Sequence, residues 1–134
     1  MDLRFKHMGV AVPDLAKAVP VYRDLFGCEL TSGPFDDPIQ KVSVCFLGPT
    51  ASFPVQIELV APLNEESPVR KILAKGGGAY HLCYATADLD RTLAELAVKG
   101  CVTVSAPVPA VAFSGRRIAW LFTPTRQLLE LVEE

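Results

Sequence analysis

His7 and His81 are the only histidines in a chain of 134 residues, and each opens a similar stretch that later delivers a glutamate inside the tripeptide Glu-Leu-Val. His7 is followed by Asp14-Leu15, an amphipathic segment and Gly27; His81 is followed by Asp88-Leu89, an amphipathic segment and Gly100. Glu58 and Glu130 then follow their histidines at nearly equal separations. The chain therefore reads as one module used twice, with one imidazole and one carboxylate in each copy. Imidazole nitrogen and carboxylate oxygen both bind borderline divalent cations. Brought together, His7, Glu58, His81 and Glu130 make a metal site.

Composition narrows the partners. Half of the residues are apolar and the formal net charge is −2, which gives no basic footprint for nucleic acid or for an anionic membrane surface. A small ligand is the expected partner. The length favours a single domain over residues 1–134, with module one at about 1–75 and module two at about 76–134. Met1 to Lys6 lacks the apolar run of a signal peptide, and no apolar stretch is long enough to span a bilayer. We expect a cytoplasmic protein. Cys28, Cys45, Cys83 and Cys101 form no C-x-x-C pair and read as buried thiols in a reducing compartment.

The elements that must position the four residues follow from periodicity. Phe5 to Val12 alternates as a strand, with Met8, Val10 and Val12 on one face and His7 beside the small Gly9 and Ala11 on the other. Asp14 caps a helix from Ala16 to Phe26 that Gly27 stops, with Pro20 as a local conflict in its middle. Lys41 to Leu47 and Val55 to Val60 read as strands, the latter placing Glu58 opposite in facing to Ile57 and Leu59. Ser67-Pro68 opens a short helix to Lys75, ended by Gly76-Gly77-Gly78.

The second half repeats the order. Tyr80 to Thr86 is a strand that places His81, Cys83 and Ala85 on one face, and Asp88 or Asp90 caps a helix to Lys99. Val102 to Val104 begins a strand, and Ser114-Gly115 reads as the turn of a hairpin joining Val111–Phe113 to Arg117–Phe122. Leu128 to Val132 finishes the sheet with Glu130 facing away from Leu129 and Leu131. Trp120 and Phe122 read as core, and Arg70, Lys71, Lys75, Arg116 and Arg117 as solvated charge.

The segments His7-Met8-Gly9-Val10-Ala11-Val12-Pro13-Asp14-Leu15, Tyr22-Arg23-Asp24-Leu25-Phe26-Gly27, Gln56-Ile57-Glu58-Leu59-Val60-Ala61-Pro62-Leu63, Tyr80-His81-Leu82 and Leu128-Leu129-Glu130-Leu131 carry a resemblance over nearly the whole chain. They resemble the vicinal oxygen chelate superfamily of glyoxalases, bleomycin resistance proteins and dioxygenases. Val60 to Ser67 and the helix after it are most similar to the methylmalonyl-CoA epimerases within that superfamily, with glyoxalase I as the runner-up. The resemblance implies an α+β fold of paired βαβββ modules, a curled eight-stranded sheet around a metal-binding cup, and often a homodimer.

The resemblance also implies one divalent ion, Co²⁺, Mn²⁺, Ni²⁺, Zn²⁺ or Fe²⁺, held by His7, Glu58, His81 and Glu130. It implies an epimerase that moves the α-proton of a methylmalonyl-CoA-like coenzyme A thioester, with Glu130 as the first choice of base and Glu58 as the alternative. Some epimerases carry an extra glutamate where this chain has Val44, with Gln40 and Ser43 as its polar neighbours. Tyr80 stands before His81 where epimerases often have a second histidine. A lactoylglutathione lyase is the second function the resemblance permits, and a ligand-sequestering resistance protein that needs no metal is the third.

Overall fold

A computed structural model describes residues 1–134. The elements are β1 (Arg4–Ala11), α1 (Leu15–Phe26), β2 (Leu30–Asp37), β3 (Val42–Leu47), β4 (Ile57–Pro62), α2 (Val69–Ala74), β5 (Gly78–Thr86), α3 (Leu89–Val98), β6 (Val102–Pro109), β7 (Arg117–Phe122) and β8 (Leu128–Glu133). This is the α+β class, with β-α-β-β-β occurring twice around α2. The strands form an eight-stranded mixed sheet in the order β2-β3-β4-β1-β5-β8-β7-β6. The chain divides into two compact units, His7–Tyr80 and Met1–Lys6 with His81–Glu134. No helix is long and apolar enough to cross a membrane.

In the unit His7–Tyr80, β1 runs parallel to β4 with Gly9 opposite Glu58, and β4 runs antiparallel to β3 with Phe46 opposite Glu58. Val10, Val12, Cys45, Leu47, Ile57 and Leu59 make one buried layer, against which Leu15, Ala18, Val19 and Tyr22 of α1 pack. The residues between them in each strand, including Glu58 and Phe46, therefore face the other side of the sheet. Asp14 caps α1 by accepting from the Lys17 backbone N–H at 3.0 Å. Gly27 ends it in the left-handed conformation and donates to the Arg23 carbonyl at 2.9 Å. The helix runs through Pro20. Ala16, whose carbonyl loses its donor there, is exposed, so that carbonyl is open to solvent and the proline costs less than in a buried helix.

In the unit Met1–Lys6 with His81–Glu134, β5 runs parallel to β8 with Cys83 opposite Glu130, and β8 runs antiparallel to β7 with Trp120 opposite Glu130. Leu89 and Leu96 of α3 pack with Ala119, Leu121, Leu129 and Leu131. Asp88, not Asp90, caps α3, accepting from the Arg91 N–H at 3.0 Å. Asp90 instead accepts from Arg117, whose guanidinium also forks onto both carboxylate oxygens of Glu133 at 2.9 and 2.8 Å. That ties β7 and β8 to the first turn of α3.

Three local expectations are corrected. Periodicity places no strand between Gly27 and Lys41, although the eight-stranded sheet implied by the resemblance needs one; β2 fills that place despite Gly33-Pro34 and two aspartates. It lies at the edge of the sheet, where a proline without an N–H is tolerated, and its register against β3 shifts twice. The hairpin partner of β7 is β6, extended to Pro109, and Val111–Phe113 form a 3₁₀ turn. Positive φ at Ser114 and Gly115 lets Gly115 donate back to Ala110 at 2.9 Å, which closes the chain one turn earlier than the sequence suggested. Finally, β4 starts at Ile57 and α2 at Val69, each short of its expected beginning by a residue or two.

Of the three glycines after α2, Gly77 has a structural demand. Its φ is +67, and a Cβ built there would lie 3.0 Å from the Ala11 carbonyl oxygen and 3.2 Å from a Leu73 methyl. Backbone cannot retreat as a side chain can. Gly77→Ala should therefore cost about 1–3 kcal/mol, measured by urea unfolding. Gly76→Ala meets open space and should cost less, even though its φ is also positive.

Candidate metal centre

The two histidine–glutamate pairs are each built within one unit. On β1, Nε2 of His7 lies 3.5 Å from Oε1 of Glu58 on β4. On β5, Nε2 of His81 lies 3.1 Å from Oε2 of Glu130 on β8. In both cases a histidine near the start of its module's first strand meets a glutamate on a strand that runs parallel beside it. Strand alternation turns both glutamates away from the helix-side cores, since Ile57, Leu59, Leu129 and Leu131 occupy those cores.

All four side chains are removed from water: His7 is 0%, Glu58 5%, His81 1% and Glu130 2% exposed. One ligand atom from each of the four lies within 4.8 Å of every other. Burying two carboxylates is expensive unless their charge is offset. Two neutral imidazoles and two carboxylates carry −2 together, which a divalent cation neutralises, so the donor set fits such an ion.

The walls of the site are apolar and aromatic. Phe46 sits across from Glu58 on β3, with its ring centroid 5.5 Å from that of His7 at 65°. Trp120 sits across from Glu130 on β7, 4.9 Å from His81 at 89°. Val44 and Val60, a cross-strand pair, share the face of Phe46 and Glu58 by alternation and are buried. Ser43 points the other way from Val44 by alternation and donates to Asp36. Cys45 also turns away from the site, into the α1 core. Burial, and after it the Glu58 carboxylate, push its thiol up to about 11, so it stays protonated at neutral pH and offers neither a thiolate ligand nor a base.

Phe46 is not singled out by its sequence context, and Trp120 packs, as expected of core, against the cluster of Cys83, Ala85 and Ile118 while also meeting His81. The signal that could have found them is the repeat itself: an aromatic residue on the strand preceding each glutamate. Of the basic residues, Arg70 meets Glu65 at 3.1 Å at the surface, whereas Arg117, expected as solvated charge, is instead held by Glu133 and Asp90. Tyr80 is half-buried at the start of β5, beside His81 in sequence and on the opposite side of the strand.

Doubled β-α-β-β-β modules, each offering a buried histidine and glutamate, define the class of protein, and comparison with known sequences agrees. The profile described as the Glyoxalase/Bleomycin resistance protein/Dioxygenase superfamily matches residues 6–120, and the chain belongs to that superfamily. Several of its relatives are epimerases. The ethylmalonyl-CoA/methylmalonyl-CoA epimerase of Cereibacter sphaeroides is 33% identical over 121 residues, covering 88% of this chain and 87% of that protein. The mitochondrial methylmalonyl-CoA epimerase of Mus musculus is 37% identical over 100 residues, 72% of this chain; the match spans 53% of the mouse protein. Among solved structures, methylmalonyl-CoA epimerase of Streptomyces coelicolor in complex with 2-nitronate-propionyl-CoA superposes with a TM-score of 0.78 at 32% identity, covering 98% of this chain and 96% of that one.

Proposed function

We propose that the chain is a divalent-metal-dependent epimerase of a methylmalonyl-CoA-like thioester, with His7, Glu58, His81 and Glu130 as the metal ligands. The observation that carries this reading is the buried four-residue cluster in a chain similar along most of its length to methylmalonyl-CoA epimerases. A bound ion would supply Lewis-acid stabilisation of the negative charge that develops on the thioester oxygen. The chain's own residues must do the proton transfer. Glu130 is the base: a carboxylate has two oxygens, so ligation through one leaves the other to take the α-proton. Glu58 is the second acid, returning a proton to the opposite face, because Val44 and Val60 leave its surroundings on β3 and β4 without another carboxylate.

The apolar pair Val44 and Val60 also favours one alternative. A lactoylglutathione lyase needs no third carboxylate, so the same face suits it as well. Exchange of the α-proton of methylmalonyl-CoA in deuterated water, followed by NMR with metal-loaded protein, separates the two. Exchange supports the epimerase; no exchange, together with formation of lactoylglutathione from methylglyoxal and glutathione, replaces it with the lyase. Neither activity, with ligand bound regardless of metal, would leave the sequestering protein. This reading includes a cytoplasmic protein, supported by four free thiols, three of them buried, and a homodimer, as implied by the family's pairing of modules across subunits.

A further inference from the structure

The internal repeat extends beyond the histidine and the glutamate to a third side chain. In the unit His7–Tyr80 the aromatic residue is Phe46, directly opposite Glu58 and with its ring 5.5 Å from His7. In the other unit it is Trp120, directly opposite Glu130 and 4.9 Å from His81. Directly opposite residues of an antiparallel pair share a face with their Cβ atoms about 5 Å apart, so each aromatic ring lies beside both members of its pair. The ring planes of aromatic and imidazole stand at 65° and 89°, the steep arrangement that aromatic quadrupoles favour. The same placement in both modules, with different residues filling it, argues for a shared demand.

That demand is orientation of the imidazole. A strand fixes where the histidine Cβ sits but leaves the ring free to turn about its last torsion, which is broad for an sp²-terminated side chain. A flat wall met edge to face narrows that torsion. Trp120 is itself held, because its backbone N–H donates to Ser105 Oγ at 3.1 Å where the β6 register shifts. Ala119 and Leu121 on either side are locked in the α3 core, and Cys45 and Leu47 lock Phe46 in the same way from the α1 core.

We propose that Phe46 and Trp120 are positioning residues that hold the His7 and His81 rings in the attitude required to ligate a divalent ion. The proposal rests on the metal reading given above. Its test is Co²⁺ binding by calorimetry and visible absorption in the full chain, comparing wild type with Trp120→Leu, Trp120→Phe and Phe46→Leu. Removing either ring should weaken Co²⁺ binding about 10-fold, the scale typical of groups that orient metal ligands, and should shift the cobalt d–d bands. Trp120→Phe should restore both. Thermal midpoints of the metal-free proteins separate this from lost packing, which would lower stability without moving affinity. Trp120→Met, which keeps bulk without a ring, serves if the leucine variant does not fold. Trp120 is the only tryptophan, so Co²⁺ should quench wild-type emission with the calorimetric midpoint. If wild type binds Co²⁺ and the folded ringless variants bind it equally well with unchanged spectra, the positioning role is wrong and the metal reading stands. If wild type binds none, the metal reading falls first and takes this proposal with it.

Discussion

Glu130→Gln should reduce α-proton exchange from the epimer whose proton faces Glu130 by at least about 100-fold, since positioned acid–base groups contribute 10²–10⁴-fold. The amide keeps the shape and an oxygen for ligation, but it cannot accept a proton at neutral pH. Glu130 is 2% exposed and 3.1 Å from His81 Nε2, so no water replaces it without rearrangement of β8. The variant also separates the two glutamates. Glu58→Gln removes the acid for the opposite face only, so wash-in of deuterium from one epimer should persist while interconversion of the epimers is lost. NMR of each epimer in deuterated water reads both results. Undiminished exchange from both epimers in Glu130→Gln would move the base elsewhere.

His81→Ala should abolish metal-dependent stabilisation. A ligand present at 100 times its dissociation constant stabilises the folded state by about 2.7 kcal/mol, and the wild-type thermal midpoint should rise accordingly with Co²⁺. Without His81 the set falls to one imidazole and two carboxylates, and the rise should vanish. The metal-free variant should itself be less stable by about 1–3 kcal/mol, because the buried Glu130 carboxylate loses its nearest nitrogen. Thermal melts with and without Co²⁺ measure both effects. An equal rise in variant and wild type would show that the ion binds elsewhere.

Much of this centre was legible in the chain because its residue types are scarce and repeated. Two histidines, no others, each paired with a later Glu-Leu-Val, point to the four ligands before any strand is placed. The helix caps were legible for the same reason: Asp14, Asp88 and Gly27 act locally, and each does what its side chain or its lack of one dictates. What stayed hidden depends on partners far away in sequence. β2 is a strand because β3 pairs with it, not because Leu30 to Asp37 alternates. Val111–Phe113 has strand-forming residues, yet a turn set by Ser114 and Gly115 claims it. Phe46 and Trp120 looked like ordinary core residues in apolar strands. Only the cross-strand register, which periodicity does not reveal, puts them opposite Glu58 and Glu130.

The strand position aligned with the extra glutamate of some epimerases holds Val44, buried and paired with Val60. Under the proposed function both proton-transfer roles therefore fall on Glu58 and Glu130.

Under the proposed function, two histidine–glutamate pairs, each built in its own module, serve one divalent ion. Calorimetric titration of chelator-treated protein with Co²⁺ tests it most directly. One ion per chain is expected in wild type, with binding lost on substituting either His7 or His81. Two ions per chain, each abolished by its own histidine alone, or no ion at all, would contradict it.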